Sequence, residues 1–164
     1  MNALIIYHTI TGHTRRAAED VAEGLAGEGA AARLLSAGEM KHWDVAGLDI
    51  VVVGSPCHAG SLAIRAGVSG PILGVLNKLT AQALAGMVGG AFSVNSAYGG
   101  RRTVPAIENC LRAAGATVPR AGVVVKAGVP FSLFTGPMAS DQSRDELRQF
   151  GRALAQAAKA GHDE

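Results

Sequence analysis

The sequence predicts a single α/β domain over residues 1–164, built on a doubly wound, five-stranded parallel sheet in the order 2-1-3-4-5 with helices on both faces. The chain of 164 residues is long enough for one core and has no feature that calls for a second. Strand-like segments alternate with segments of helical spacing, and the strand-like runs lack the polar alternation of half-exposed strands. The order 2-1-3-4-5 then satisfies the right-handed crossover rule.

In the N-terminal half, residues 3–9 form a short apolar run with β-branched side chains, which predicts the first strand. Helical spacing follows over residues 14–26. Residues 31–35 predict a weak edge strand, and residues 49–54, with the continuous run Ile-Val-Val-Val, predict the third strand. Residues 70–85 predict the second helix.

In the C-terminal half, residues 87–95 predict the fourth strand and residues 103–114 the third helix. The Val-rich residues 117–127 predict the fifth strand, and residues 141–160 predict the closing helix. The crossovers from the first and third strands run in opposite directions, so a crevice opens between their carboxyl ends. A ligand is expected in that crevice.

Charge and cysteine content exclude several function classes. The chain has 15 Lys and Arg against 13 Asp and Glu, and a net charge of +2 is too small to indicate a nucleic-acid partner. Cys57 and Cys110 fit no disulfide framework or metal-ligand spacing, so we expect reduced thiols and no metal site. Because the sequence shows neither a long apolar run nor a cleavable leader, we expect no membrane partner and a cytoplasmic location.

A hydroxyl-rich loop, residues 9–14, follows the first predicted strand. The N-terminus of a helix has unpaired backbone N–H groups and partial positive charge, so it binds phosphate without a cationic side chain. Three threonines add hydroxyl donors, and Gly12 permits a close backbone approach or a positive φ. The loop therefore predicts a site for a cofactor phosphate, with an ordinary threonine cap on the helix as the alternative.

Other phosphate-binding motifs do not fit. The sequence has no G-x-x-x-x-G-K-[ST] and no G-x-G-x-x-G after the first strand. Gly54 and Ser55 stand where a phospho-receiver domain needs an aspartate. Cys57 and Arg65 lack Cys-x5-Arg spacing because position 63 is alanine.

Three loops together resemble the flavin-contacting loops of the flavodoxin family. The first matches the family's T-x-T-G-x-T pattern in full, and the others are Gly54-Ser55-Pro56-Cys57-His58 and Asn95-Ser96-Ala97-Tyr98-Gly99. The resemblance spans nearly the whole chain and implies a flavodoxin-like fold that binds flavin mononucleotide (FMN) and carries electrons one at a time. The implied cofactor-binding residues are Thr9, Ile10, Thr11, Gly12, His13, Thr14, Ser55, Pro56, Cys57, His58, Ala59, Gly60, Asn95, Ser96, Ala97, Tyr98 and Gly99.

The resemblance also implies roles for these loops. The first holds the flavin phosphate, and Tyr98 stacks on the isoalloxazine ring. Asn95 and Ser96 contact the pyrimidine edge of the ring or simply form a turn. His58 stands where many relatives have tryptophan; it packs on the ring, donates a hydrogen bond near N5, makes redox behaviour depend on pH, or is an exposed side chain with no such role. Ala59-Gly60 supplies small residues that let the backbone rearrange beside a flavin.

The sequence predicts an FMN-dependent electron carrier. Its flavin does the redox chemistry, and the chain contributes no catalytic acid or base. The expected partner is a redox protein or a small-molecule electron acceptor, and the chain is expected to be a monomer or a homodimer. The alternatives are an NAD(P)H-dependent quinone or flavin reductase of the same fold and a cofactor-free interaction module. The carrier is favoured because the chain has little spare length for the subunit-shared site that such reductases build.

The charge of the chain departs from the family's pattern. The sequence pI is near 8.7, whereas electron-shuttling members are strongly acidic. The arginine pairs at residues 15–16 and 101–102 follow two of the loops. They predict either a basic face for an acidic or phosphate-bearing partner or merely solvated helix starts.

A further apolar loop, residues 128–140, follows the fifth predicted strand. It contains Phe131, Leu133 and Phe134. We interpret it as a lid over the flavin or a contact surface for a second subunit, with a packed return to the core as the alternative.

Overall fold

The computed structural model describes residues 1–57, 67–95, 100–126 and 140–162. The strands are β1 (Asn2–Tyr7), β2 (Ala31–Ser36), β3 (Ile50–Pro56), β4 (Val88–Asn95) and β5 (Val123–Lys126). The helices are α1 (His13–Gly27), α2 (Gly70–Leu76), α3 (Gly100–Ala113) and α4 (Asp141–His162). The strands pair in parallel in the order β2-β1-β3-β4-β5, which confirms the predicted fold class.

The sheet lies between two helical layers because its central strands are apolar on both sides. On one face, α1 and α4 pack over residues such as Ile5, Val52 and Phe92. On the other face, α2 and α3 cover their strand neighbours, such as Ile6 and Val53. The side chains of β2 are at best half-buried, as expected for a weak edge strand.

The helices α1 and α4 approach closely because a glycine stands at the contact on each of them. A Cβ at Gly24 would overlap the backbone carbonyl of Arg148, and a Cβ at Gly151 would overlap the backbone of α1. The buried Asp20 carboxylate of α1 lies 3.2 Å from Nε of Arg144 and 3.4 Å from Nη2 of Arg148. Burial raises the pKa of Asp20, although both guanidinium groups oppose the shift. These contacts fix the position of α1 against α4.

The second helix is shorter than the predicted residues 70–85. It ends at Leu76, and turns follow up to residue 86. Gln82 has a φ of 64°, which a right-handed helix cannot accommodate. The indole N–H of Trp43 donates to the carbonyl of Val75 at 3.0 Å, so a side chain from a distant loop satisfies the last turn.

The fifth strand begins later than predicted from residues 117–127. The first predicted residue, Thr117, forms only an isolated bridge with Val88, and the continuous strand pairing with β4 begins at Val123. Pro119 lies between them and has no N–H to donate to a ladder. The carboxylate of Glu108 on α3 accepts a hydrogen bond from the backbone N–H of Gly122 at 2.7 Å, which holds the chain where the strand begins.

No helix within these four ranges is both long and apolar enough to cross a membrane. In the described part of the chain Cys57 is half-buried and Cys110 is exposed, and no disulfide joins them. Among the described side chains, no group of three or more His, Cys, Asp or Glu is placed to share a metal ion.

Candidate functional site

The loops after β1, β3 and β4 leave the sheet together because these parallel strands are neighbours. The side of the sheet where the strands end is called the carboxyl edge below. Hydrogen bonding continues past the strand ends, since the His8 N–H donates to the Gly54 carbonyl at 3.2 Å and the Cys57 N–H donates to the Val94 carbonyl at 2.9 Å. The strand order therefore places the first two predicted loops on either side of the crevice between β1 and β3.

The helix α1 begins at this edge without a side-chain cap. Its N-cap residue, Gly12, has φ 86° and ψ −12°, a left-handed conformation that favours glycine. An added Cβ would meet no atom within 4 Å, so the backbone conformation, and not crowding, requires glycine there. The Gly12 carbonyl accepts the first helical hydrogen bond, from Arg16 at 3.1 Å. The N–H groups of His13, Thr14 and Arg15 consequently have no partner within the helix, and the threonine-cap alternative is wrong.

The three threonines of this loop occupy different environments. Thr9 Oγ1 accepts a hydrogen bond from the Gly12 N–H at 2.9 Å and so holds the turn before the helix. Thr11 is exposed, whereas Thr14 is only 2% exposed. Ile10 is 67% exposed and is the one exposed large apolar side chain among the described residues. The loop thus presents one exposed hydroxyl and a free helix terminus to solvent, instead of three equivalent hydroxyls.

In the second loop, Ser55 points into the interior between the sheet and α2. Its Oγ accepts a hydrogen bond from the Ser69 N–H at 3.0 Å and lies 2.9 Å from the Pro56 carbonyl oxygen. Because Ser69 is the N-cap residue of α2, this hydroxyl ties the end of β3 to the start of that helix. Pro56 and Cys57 are half-buried at the edge. The other predicted residues of this loop lie outside the described residues: His58, Ala59 and Gly60.

In the third loop, Asn95 ends β4 and is 6% exposed. Its side-chain oxygen, Oδ1, is buried and has no hydrogen-bond partner among the described residues. Burying an acceptor without a hydrogen-bond donor costs about 1–3 kcal/mol of stability. Such an acceptor is therefore expected to have a donor from another group, such as a ligand. The other predicted residues of this loop lie outside the described ranges: Ser96, Ala97, Tyr98 and Gly99.

The structure adds polar residues that the sequence pattern did not single out. Ser93 is fully buried, pairs in register with Ser55, and leaves its Oγ without a hydrogen-bond partner in the described part of the chain. The available signal was a serine within an otherwise apolar strand. On the opposite face of the sheet, a Cβ at Gly54 would overlap the ring of Phe92, so glycine allows close packing where β3 approaches the edge.

No model of a known protein family matches this chain. A flavodoxin from Aquifex aeolicus (strain VF5) is 30% identical to it, over 93% of this chain and 84% of that protein. The structure of oxidised flavodoxin 1 from Bacillus cereus is similar over 95% of this chain and 98% of its own, with a TM-score of 0.75 and 14% identity. The rubredoxin oxygen:oxidoreductase of Desulfovibrio gigas is similar over 99% of this chain but 37% of its own, with a TM-score of 0.79 and 22% identity.

The two structural similarities concern the fold alone, because fewer than a quarter of the residues are identical. The sequence similarity to the Aquifex protein covers most of both chains at 30% identity. This chain belongs to the flavodoxin family.

Proposed function

We propose that this protein is an FMN-binding electron carrier that binds the FMN phosphate at the N-terminus of α1. The observation that carries the proposal is the uncapped helix start, where the N–H groups of His13, Thr14 and Arg15 have no helical partner. A phosphate satisfies such groups and is stabilised by the positive end of the helix dipole. Membership of the flavodoxin family supports FMN as the phosphate-bearing ligand.

The loop before α1 fits an anionic group. The space around Gly12 is open where a side chain would stand, so an anion has access to the backbone. Thr9 fixes the turn through the Gly12 N–H and keeps its own O–H as a donor. The exposed Thr11 hydroxyl is a second donor, and Thr14, in the first turn of the helix, is buried. Hydrogen bonds to a charged phosphate are stronger than those between neutral groups.

The ring of FMN is assigned to the ends of β3 and β4. There the unpartnered Oδ1 of Asn95 suits an N–H donor on the pyrimidine edge of the ring. We extend the proposal to the loop residues by sequence alone: Tyr98 stacks on the ring, and His58 lies beside it. Pro56 and Cys57 line the approach from β3.

FMN supplies, when bound, an isoalloxazine ring that takes up and releases electrons. The chain binds and orients the ring and contributes no catalytic acid or base. The family relationship favours a carrier over an NAD(P)H-dependent reductase, because the matching protein is a flavodoxin. The physiological partner is proposed to be a redox protein or a small electron acceptor in the cytoplasm, and the carrier is proposed to act as a monomer or homodimer of one domain.

The visible absorption spectrum tests this function. Flavin-free chain titrated with FMN is expected to bind one FMN per chain, with perturbed flavin bands. Excess NADPH added without oxygen is then expected to leave those bands intact, because a carrier needs a partner to be reduced. No uptake of FMN would end the proposal, and rapid bleaching by NADPH would make the protein a reductase.

A further inference from the structure

The four loops that follow β1, β3, β4 and β5 contain no carboxylate in the sequence. Residues 8–12, 57–69, 96–99 and 127–140 connect β1, β3, β4 and β5 to the helices that follow them, and none of the 13 Asp and Glu residues of the chain lies in these loops. The same loops do contain a cation, Arg65. The charged residue of these four loops is therefore positive, whereas the loop that follows β2 contains Glu39.

Exposed cations flank the loops on both faces of the sheet. Arg16 lies in the first turn of α1, Arg102 in the first turn of α3, and Lys126 at the end of β5. None of the three has an ion-pair partner among the described residues. Because β1 and β5 are three strand spacings apart, or about 15 Å, the fields of these charges overlap at low ionic strength.

Of three carboxylates near this edge, one is paired with a cation and two have no ion-pair partner among the described residues. Glu19 pairs with Arg15 at 3.0 Å. Glu39 accepts a hydrogen bond from the Ser36 N–H at 3.3 Å. Asp141 is the first residue of α4, where the helix dipole stabilises negative charge. The three cations without partners outnumber Glu39 and Asp141, so the described residues at this edge have a net positive charge.

An apolar side chain lies within the same surface. Ile10, in the loop between β1 and α1, is 67% exposed. Protein interfaces combine apolar contacts near their centre with a charged, solvated rim. The combination of Ile10 with Arg16, Arg102 and Lys126 has both parts.

We propose that the carboxyl edge is the docking surface for a redox protein that presents carboxylates around its own redox centre. Ile10 contacts that partner, and the three cations steer it. The inference rests on the proposed function, because docking here brings the partner to the proposed FMN site.

The test uses an acidic [2Fe–2S] ferredoxin as the probe and a basic cytochrome c as its opposite-charge counterpart. Association with each is measured by stopped-flow mixing or calorimetry, with flavin-free and FMN-loaded chain, from about 0.01 M to about 0.15 M salt. The double variant Arg16→Glu/Arg102→Glu is compared with Lys41→Glu. Lys41 is exposed, and its carbonyl accepts a hydrogen bond from Lys78, just after α2 ends at the opposite edge of the sheet.

Ferredoxin is expected to bind, with affinity that falls as salt rises, and the double variant is expected to associate about tenfold more slowly at low salt. Lys41→Glu is expected to behave like the parent chain. Preference for cytochrome c, equal losses in both variants, or association independent of salt would overturn the docking proposal. The proposal would also be overturned if the chain bound NADPH through Arg16 and Arg102 and did not bind ferredoxin. The ligand of this surface would then be a phosphate-bearing dinucleotide. Failure to take up FMN is read separately and bears on the proposed function alone.

Discussion

Replacing Gly12 with alanine tests the phosphate site through a single backbone conformation. Gly12 has φ 86°, and an added Cβ meets no atom within 4 Å, so the substitution adds conformational strain without a clash. A left-handed conformation costs an L-residue about 1–2 kcal/mol. The flavin-free variant avoids this cost by adopting another backbone conformation at residue 12. FMN binding must then restore the left-handed conformation.

The expected result is therefore weaker binding of FMN by Gly12→Ala, by about 5- to 30-fold, since each 1.4 kcal/mol is tenfold in affinity. Riboflavin has the same ring but no phosphate, so its affinity is expected to change little. Quenching of flavin fluorescence on titration gives both affinities. Urea unfolding of the flavin-free chain measures the cost to the fold.

Gly29→Ala is the matched control. Gly29 follows α1, has φ 80°, and likewise leaves open space for a Cβ. Gly29→Ala is expected to lower the free energy of unfolding by about 1–2 kcal/mol, which is more than Gly12→Ala, whose loop relaxes in the flavin-free chain, and to leave FMN affinity unchanged. Equal losses of FMN affinity in the two variants, or an equal loss of riboflavin affinity in Gly12→Ala, would refute the reasoning.

Three further predictions concern the ring contact, the helix contact and a buried carboxylate. Asn95→Ala is expected to lower the affinities for FMN and riboflavin alike, by about fivefold, because it removes one hydrogen bond to the ring. Titration with both flavins checks this, and a loss of affinity confined to FMN would contradict it. Gly24→Ala is expected to lower the free energy of unfolding in urea by about 1–3 kcal/mol, because its Cβ overlaps the Arg148 carbonyl. Gly27→Ala, with no contact closer than 3.9 Å, is expected to leave the free energy of unfolding unchanged or to raise it. Equal effects of the two substitutions would be inconsistent with close helix packing. Burial raises the pKa of Asp20 above 3.8, so the folded chain retains a proton that the unfolded chain has lost, and the free energy of unfolding falls as pH rises past 3.8. Urea midpoints from about pH 3.5 to about pH 7 are expected to show the parent chain losing stability relative to Asp20→Asn as pH rises, and the opposite slope would show that the arginines outweigh burial.

Much of the fold could be predicted because the sequence and the tertiary structure agree locally. The run Ile50-Val51-Val52-Val53 is apolar on both sides, and the structure buries it completely between two helical layers. The ends of α2 and β5 could not be placed in this way. Trp43, distant in sequence, satisfies the last turn of α2, and Pro119 interrupts the ladder before β5 within an otherwise strand-like run.

The candidate site shows the same division. The loop around Gly12 could be predicted because its residue types need a left-handed turn and a free helix start, and both occur in the structure. Side-chain direction could not be inferred from residue type. Thr14 and Ser55 both carry hydroxyls, yet one lies buried in α1 and the other links β3 to α2. The two-residue alternation along β3 was the signal for Ser55, since Val53 points to the same face.

The most direct test of the phosphate site is an amide proton–nitrogen NMR spectrum of labelled, flavin-free chain titrated with FMN, riboflavin and inorganic phosphate. The amides of His13, Thr14 and Arg15 are expected to shift with FMN and with phosphate, and to shift much less with riboflavin. If FMN binds while the resonances of these three amides do not shift, the phosphate lies elsewhere and the central claim is contradicted.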